Sequence, residues 1–142
     1  MIKKKQWFIA YKIIKNGITF KDLNYAYPPK DRIWADPFPL KIRNKYFIFF
    51  EELVFDHKGH INVMQIDKIG NIISNETVLN EDFHLSYPFI FEEEGEVFLI
   101  PETHEINEIR LYSTNNFPFD WKYKSTLIEN VDAVDSNLIK FG

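Results

Sequence analysis

Pro37-Phe38-Pro39-Leu40 and Pro88-Phe89-Ile90-Phe91 decide the fold of this chain. They stand 51 residues apart, and the offset continues without a gap. Asn44 meets Gly95, Tyr46-Phe47-Ile48-Phe49 meets Val97-Phe98-Leu99-Ile100, and Glu51 meets Glu102. A second pairing follows at an offset of 48, with Ile61-Asn62-Val63-Met64 against Ile109-Arg110-Leu111-Tyr112. A third copy starts at Asp135-Ser136-Asn137-Leu138-Ile139. Self-similarity at such a period marks a repeat architecture.

Within each repeat the signals are those of strands. Tyr46-Phe47-Ile48-Phe49-Phe50 is apolar on both faces, as in a sheet covered on both sides. Ile61–Ile66, Val97–Ile100 and Ile109–Tyr112 are further strands, and Trp7–Ile14 is a leading one. Arg43-Asn44-Lys45, Ile69-Gly70-Asn71 and Glu94-Gly95 have hairpin-turn chemistry. No long window has the 3.6-residue spacing of a helix.

Repeats of about 50 residues with about four strands each predict an all-β fold, a partial β-propeller of two to two and a half antiparallel blades. The expected boundaries are a leading strand over 7–14, blades over about 34–80 and 86–130, and the start of another over 134–142. A β-sandwich has similar strands but gives no reason for the gapless repeat. The blade reading also accounts for 14 phenylalanines, because each blade buries both faces. Two blades leave apolar faces uncovered, so either further blades or self-association is expected.

Composition narrows the function classes. Apolar residues at 45 % and charged residues at 27 % are ordinary for a globular chain. There is no cysteine, which excludes disulfides and thiolate metal sites. A net charge of −4 argues against a nucleic-acid surface. Lys3-Lys4-Lys5 precede an apolar run too short for a signal peptide or a membrane span, so a cytoplasmic protein without a membrane span is expected.

Three inner strands would carry the chemistry. They start at Trp34-Ala35-Asp36, Ser86-Tyr87 and Val134-Asp135, and the alignment sets Asp36, Tyr87 and Asp135 at equivalent positions. Two carboxylates and a phenol around one axis suit sugar hydroxyls, or acid–base chemistry on a glycosidic bond. The competing reading is that both aspartates cap turns. Trp34, at the start of the first inner strand, is a candidate ligand contact. Glu51 and Glu102 end the second strands, as groups at a cavity rim or as acceptors of backbone N–H groups between blades. His84, just ahead of an inner strand, is the best histidine candidate. The spacings of His57, His60, His84 and His104 fit no zinc pattern, and no phosphate loop or nucleophile elbow is present. No metal and no cofactor are expected.

Trp34-Ala35-Asp36-Pro37-Phe38, Phe49-Phe50-Glu51-Glu52, His84-Leu85-Ser86-Tyr87-Pro88-Phe89, Pro101-Glu102-Thr103, Leu111-Tyr112, Phe117-Pro118 with Trp121, and Asp132-Ala133-Val134-Asp135 together resemble one family. It is the five-bladed propeller domain at the N-terminus of glucosamine inositolphosphorylceramide transferases, which also accompanies formyltransferase-like proteins in bacterial surface-sugar gene sets. That domain is similar to the propellers of glycoside hydrolase family 43. The resemblance implies a carbohydrate, nucleotide-sugar or glycolipid partner. It also implies Asp36 as a general base and Asp135 as a group tuning the acid, with the general acid beyond Gly142. A chain without that acid is expected to be inactive alone, and fold does not transfer activity. Three readings follow: a sugar-recognising module of a glycoconjugate-building protein, an inverting glycoside hydrolase with Asp36 as base, and an interaction propeller without a sugar site.

Overall fold

The computed structural model describes residues 5–15, 17, 19–139 and 141. Lys3, Lys4, Lys140 and Gly142 therefore lie outside the described residues. The fold is all-β, with three antiparallel sheets. A hairpin pairs β1 (Ile9–Tyr11) with β2 (Asn24–Ala26). The first four-stranded meander is β3 (Arg32–Ile42), β4 (Lys45–Val54), β5 (His60–Ile66) and β6 (Ile72–Leu79), in that spatial order. The second is β7 (Ser86–Glu93), β8 (Glu96–Glu102), β9 (Glu108–Thr114) and β10 (Lys122–Glu129), also in sequence order. Among the described residues the one helical turn is a 3₁₀ turn at His104–Ile106.

The repeat offsets reappear in the backbone. β5 and β9 correspond residue for residue at an offset of 48, and β4 and β8 both start at an offset of 51. Arg43 and Asn44 join β3 to β4 with φ of 48° and 60°. Glu94 and Gly95 join β7 to β8 with 51° and 83°. Two positive φ values in a two-residue loop match the right-handed twist of the flanking strands.

Two cores separate three layers. Phe47, Phe49, Ile61 and Val63 of the first meander pack with Ile90, Leu99, Tyr112 and Trp121 of the second. The alternate residues Ile48, Phe50, Met64 and Ile66 pack with Trp34, Ile9 and Ala26. The first meander is thus buried on both faces, which is why Tyr46–Phe50 does not alternate. Each buried side chain of this size contributes roughly 1.5–3 kcal/mol. Phe47 and Phe49 meet Phe117 at ring distances of 5.0 and 5.8 Å, locking the β9–β10 loop against the first meander.

Three expectations need correction. The leading strand covers Ile9–Tyr11 and not Trp7–Ile14, because its partner β2 offers a ladder of three pairs. Glu51 lies inside β4, which runs on to Val54, whereas Glu102 does end β8. Among the described residues, 134–139 form no strand and pair with none. Among the described residues no helix is long and apolar enough to cross a membrane.

Candidate functional site

A β-bulge builds the site twice. In β3 the pairing jumps from Ala35↔Glu51 to Phe38↔Phe49, so one extra residue enters at Asp36-Pro37. In β7 it jumps from Ser86↔Glu102 to Phe89↔Ile100, with the extra residue at Tyr87-Pro88. Proline has no N–H to offer a ladder, so it fits where the ladder is interrupted. Asp36 and Tyr87 take positive φ, 49° and 42°, and Asp135 takes 50° without a strand around it. Non-glycine residues seldom adopt this region. Its recurrence at all three positions is the backbone counterpart of the sequence alignment.

The bulges turn these residues toward one another. Tyr87 N–H donates to Asp36 Oδ2 at 3.3 Å. Asn137 Nδ2 donates to the Tyr87 hydroxyl at 3.1 Å. Asp135 N–H donates to Glu102 Oε2 at 3.1 Å. Glu51 Oε1 lies 3.2 Å from His84 Nε2. Six sequence candidates, Asp36, Glu51, His84, Tyr87, Glu102 and Asp135, are therefore linked in one locale. Glu102 takes the inter-repeat backbone N–H anticipated for it, while Glu51 takes a side chain.

Electrostatics follow from that crowding. Burial pushes the Asp36 carboxyl above the usual range, and the neighbouring carboxylates of Glu51 and Asp135 add to this. The Tyr87 N–H and His84 act the other way. The hydrogen bond to Glu51 raises the His84 pKa, against burial. Gly59 N–H donates to His84 Nδ1 at 2.9 Å, so that nitrogen is an acceptor. The neutral ring is then the Nε2–H tautomer, with its proton on the Glu51 side. A second proton would have to displace the Gly59 contact.

Gly59 and Glu105 complete the support, and sequence reading missed both. Gly59 is buried, and an added Cβ would meet Leu85 O at 2.6 Å, Glu51 Oε1 at 2.7 Å and His84 Cε1 at 2.7 Å. Only a lone glycine in a polar loop hinted at this. Glu105 accepts the His84 N–H at 2.8 Å and pairs with Lys58.

The Trp34 indole is 7 % exposed, lies in the second core 5.2 Å from Phe50, and donates to Glu52 Oε2 at 2.6 Å. Most of its indole is thus held in the core, and its N–H is already taken by Glu52. His60 pairs with the same Glu52 at 3.2 Å, and His104 with Asp132 at 2.7 Å. Among the described residues no group of three or more His, Asp or Glu side chains is placed to hold a metal ion.

Residues 3–142 match the family described as Glucosamine inositolphosphorylceramide transferase 1, N-terminal. Among curated proteins, Glucosamine inositolphosphorylceramide transferase 1 of Oryza sativa subsp. indica is 35 % identical over 109 residues, 75 % of this chain and 14 % of the relative. The Arabidopsis thaliana protein of that name is 34 % identical over 107 residues, 74 % of this chain and 14 % of the relative. The chain thus spans 14 % of the length of these relatives. No solved structure matches. With a match that runs through both meanders, both bulges and Asp135, the chain belongs to the family of N-terminal domains of glucosamine inositolphosphorylceramide transferase 1.

Proposed function

We propose that this chain is a carbohydrate-recognising module of a protein that builds or modifies glycoconjugates, and that its two meanders are successive blades of an incomplete five-bladed propeller. The observation that carries this is one bulge repeated at Asp36 and Tyr87, which the Tyr87 N–H joins to Asp36, with Asp135 taking the same positive φ and tied to Tyr87 through the Asn137 side chain. Convergent carboxylates, a phenol and an amide suit hydroxyl-rich ligands, since each can accept from or donate to a sugar O–H. Membership of a family named for a glycolipid transferase agrees in chemistry. The apolar outer faces would be covered by further blades or by a second copy.

The test is a glycan array probed with the purified chain, with hits repeated by calorimetry. Binding that Asp36→Asn weakens at least about tenfold, with unchanged circular dichroism, supports the module. A folded chain that binds no glycan overturns it.

A second reading, a hydrolase of the inverting type, draws on one observation. Burial and two neighbouring carboxylates make Asp36 a stronger base than an ordinary aspartate. Inversion needs a second carboxyl group acting as acid. Under this reading Asp36→Asn abolishes glycoside turnover by a protein that also carries the acid, while sugar affinity persists. Affinity lost with no turnover to lose returns the choice to the module.

A further inference from the structure

The segment ahead of β1 runs beside the candidate site. Trp34 N–H donates to the Trp7 carbonyl at 3.3 Å, which sets residues 6–8 along the start of β3. Between them opens a pocket of about 450 Å³ lined by Gln6, Trp7, Phe8, Trp34, Asp36 and Pro37. Trp7 is 57 % exposed, in contrast to the buried indoles of Trp34 and Trp121. Asp36 uses Oδ2 for the Tyr87 N–H, and among the described residues its Oδ1 has no protein donor. From Phe8 the aromatic surface continues outward: the Tyr27 ring lies 4.8 Å away, and Tyr25 stacks on Tyr27 at 6.2 Å and 19°.

Exposed aromatics gathered in a row mark binding surfaces. The face of an aromatic ring is electron-rich and attracts the C–H face of a pyranose. Tyrosine hydroxyls and a carboxylate beside the rings take the sugar's O–H groups. The pocket lining has one carboxylate and no cation, which disfavours a phosphate or a nucleotide diphosphate.

Resting on the sugar-module reading, we propose that this pocket is an additional subsite, in which Trp7 stacks a pyranose ring beside Asp36 and the next ring extends toward Phe8 and Tyr27. The ligand is then a non-phosphorylated oligosaccharide of at least two rings.

The experiment titrates the chain with chitobiose, cellobiose and mannobiose, their monosaccharides, and UDP-N-acetylglucosamine, read by tryptophan fluorescence and calorimetry. One disaccharide is expected to bind about tenfold or more tighter than its monosaccharide and to shift the emission. Trp7→Ala removes that advantage, and Trp7→Phe keeps it within about threefold, because a phenyl ring retains the stacking face. Trp7 is exposed, so neither variant endangers the fold. Sugar binding that Trp7→Ala leaves unchanged refutes the subsite and spares the module. Preference for UDP-N-acetylglucosamine over free sugars refutes the charge argument. If no sugar binds the folded chain, the module reading fails and takes the subsite with it. A Trp7→Ala change confined to self-association assigns the surface to a protein contact instead.

Discussion

Gly59→Ala is the most exacting test of how the site is supported. The alanine Cβ would sit 2.6 Å from the Leu85 carbonyl oxygen, 2.7 Å from Glu51 Oε1 and 2.7 Å from His84 Cε1. The first obstacle is backbone and cannot swing aside: Leu85 is fully buried, and its N–H is bonded to Gly59 O at 2.9 Å. Moving the loop away instead breaks that bond and the Gly59 N–H contact to His84. Overpacking of this kind costs about 1–3 kcal/mol. A lost hydrogen bond adds about 0.5–1.5 kcal/mol. The expected destabilisation is therefore about 2–4 kcal/mol, a large share of a typical stability of about 5–15 kcal/mol. Urea unfolding followed by tryptophan fluorescence measures it. Glycan affinity should fall in the same variant, because both His84 and Glu51 are displaced. A loss below about 0.5 kcal/mol would show that the β4–β5 loop yields freely, and the buttressing argument would be wrong.

Other perturbations probe separate parts of the structure. Glu52 is 6 % exposed and gathers Arg32, Trp34 and His60, so Glu52→Ala should cost about 3–5 kcal/mol in urea unfolding by leaving the other groups unpaired. Burial pushes the Glu52 carboxyl up, but the hydrogen bonds from His60 and Trp34 and the charge of Arg32 outweigh it and hold the pKa low. A depressed folded pKa contributes stability above the ordinary carboxylate range of about 4.3, lost as pH falls through the folded value; acid melts of the wild type should drop there, and those of the Glu52→Ala variant should be flatter. Asp36 has the opposite sign: its raised pKa means stability present below the unfolded value and lost as pH rises through the folded one. Asp36→Asn, which keeps an acceptor for the Tyr87 N–H, should melt no lower than wild type at pH 7, and a clearly lower melting temperature contradicts the crowding argument. Phe49 is fully buried against Phe117 and Trp121, and Phe49→Ala should cost about 3–5 kcal/mol by thermal unfolding.

The offset between Pro37 and Pro88 was legible because a bulge needs a residue without a ladder role at the same place in each repeat. The apolar double face of Tyr46–Phe50 was legible because it lies between two cores. The outermost strands β6 and β10 gave little signal. They are mostly exposed, so burial imposes no pattern on Ile72–Leu79 or Lys122–Glu129. β2 was missed because Asn24-Tyr25-Ala26 is too short to have a period. At the site, Asp36, Tyr87 and Asp135 could be found because the repeat marks them. The burial of Trp34 was not legible because a bulge reverses the facing of a strand: Trp34 and Phe38 are an even number of residues apart, yet Trp34 packs in the core shared with Ile9 and Phe38 against the other. Gly59 acts through an absent side chain, and composition does not reveal what surrounds a glycine.

The most direct test is an amide NMR map of the chain titrated with the glycan that binds best. A sugar site on this axis predicts shift changes concentrated at residues 34–37, 84–88 and 133–137, the three equivalent turns. Changes concentrated instead around Val54, His57 and Asn80, where another open cleft lies, would contradict it.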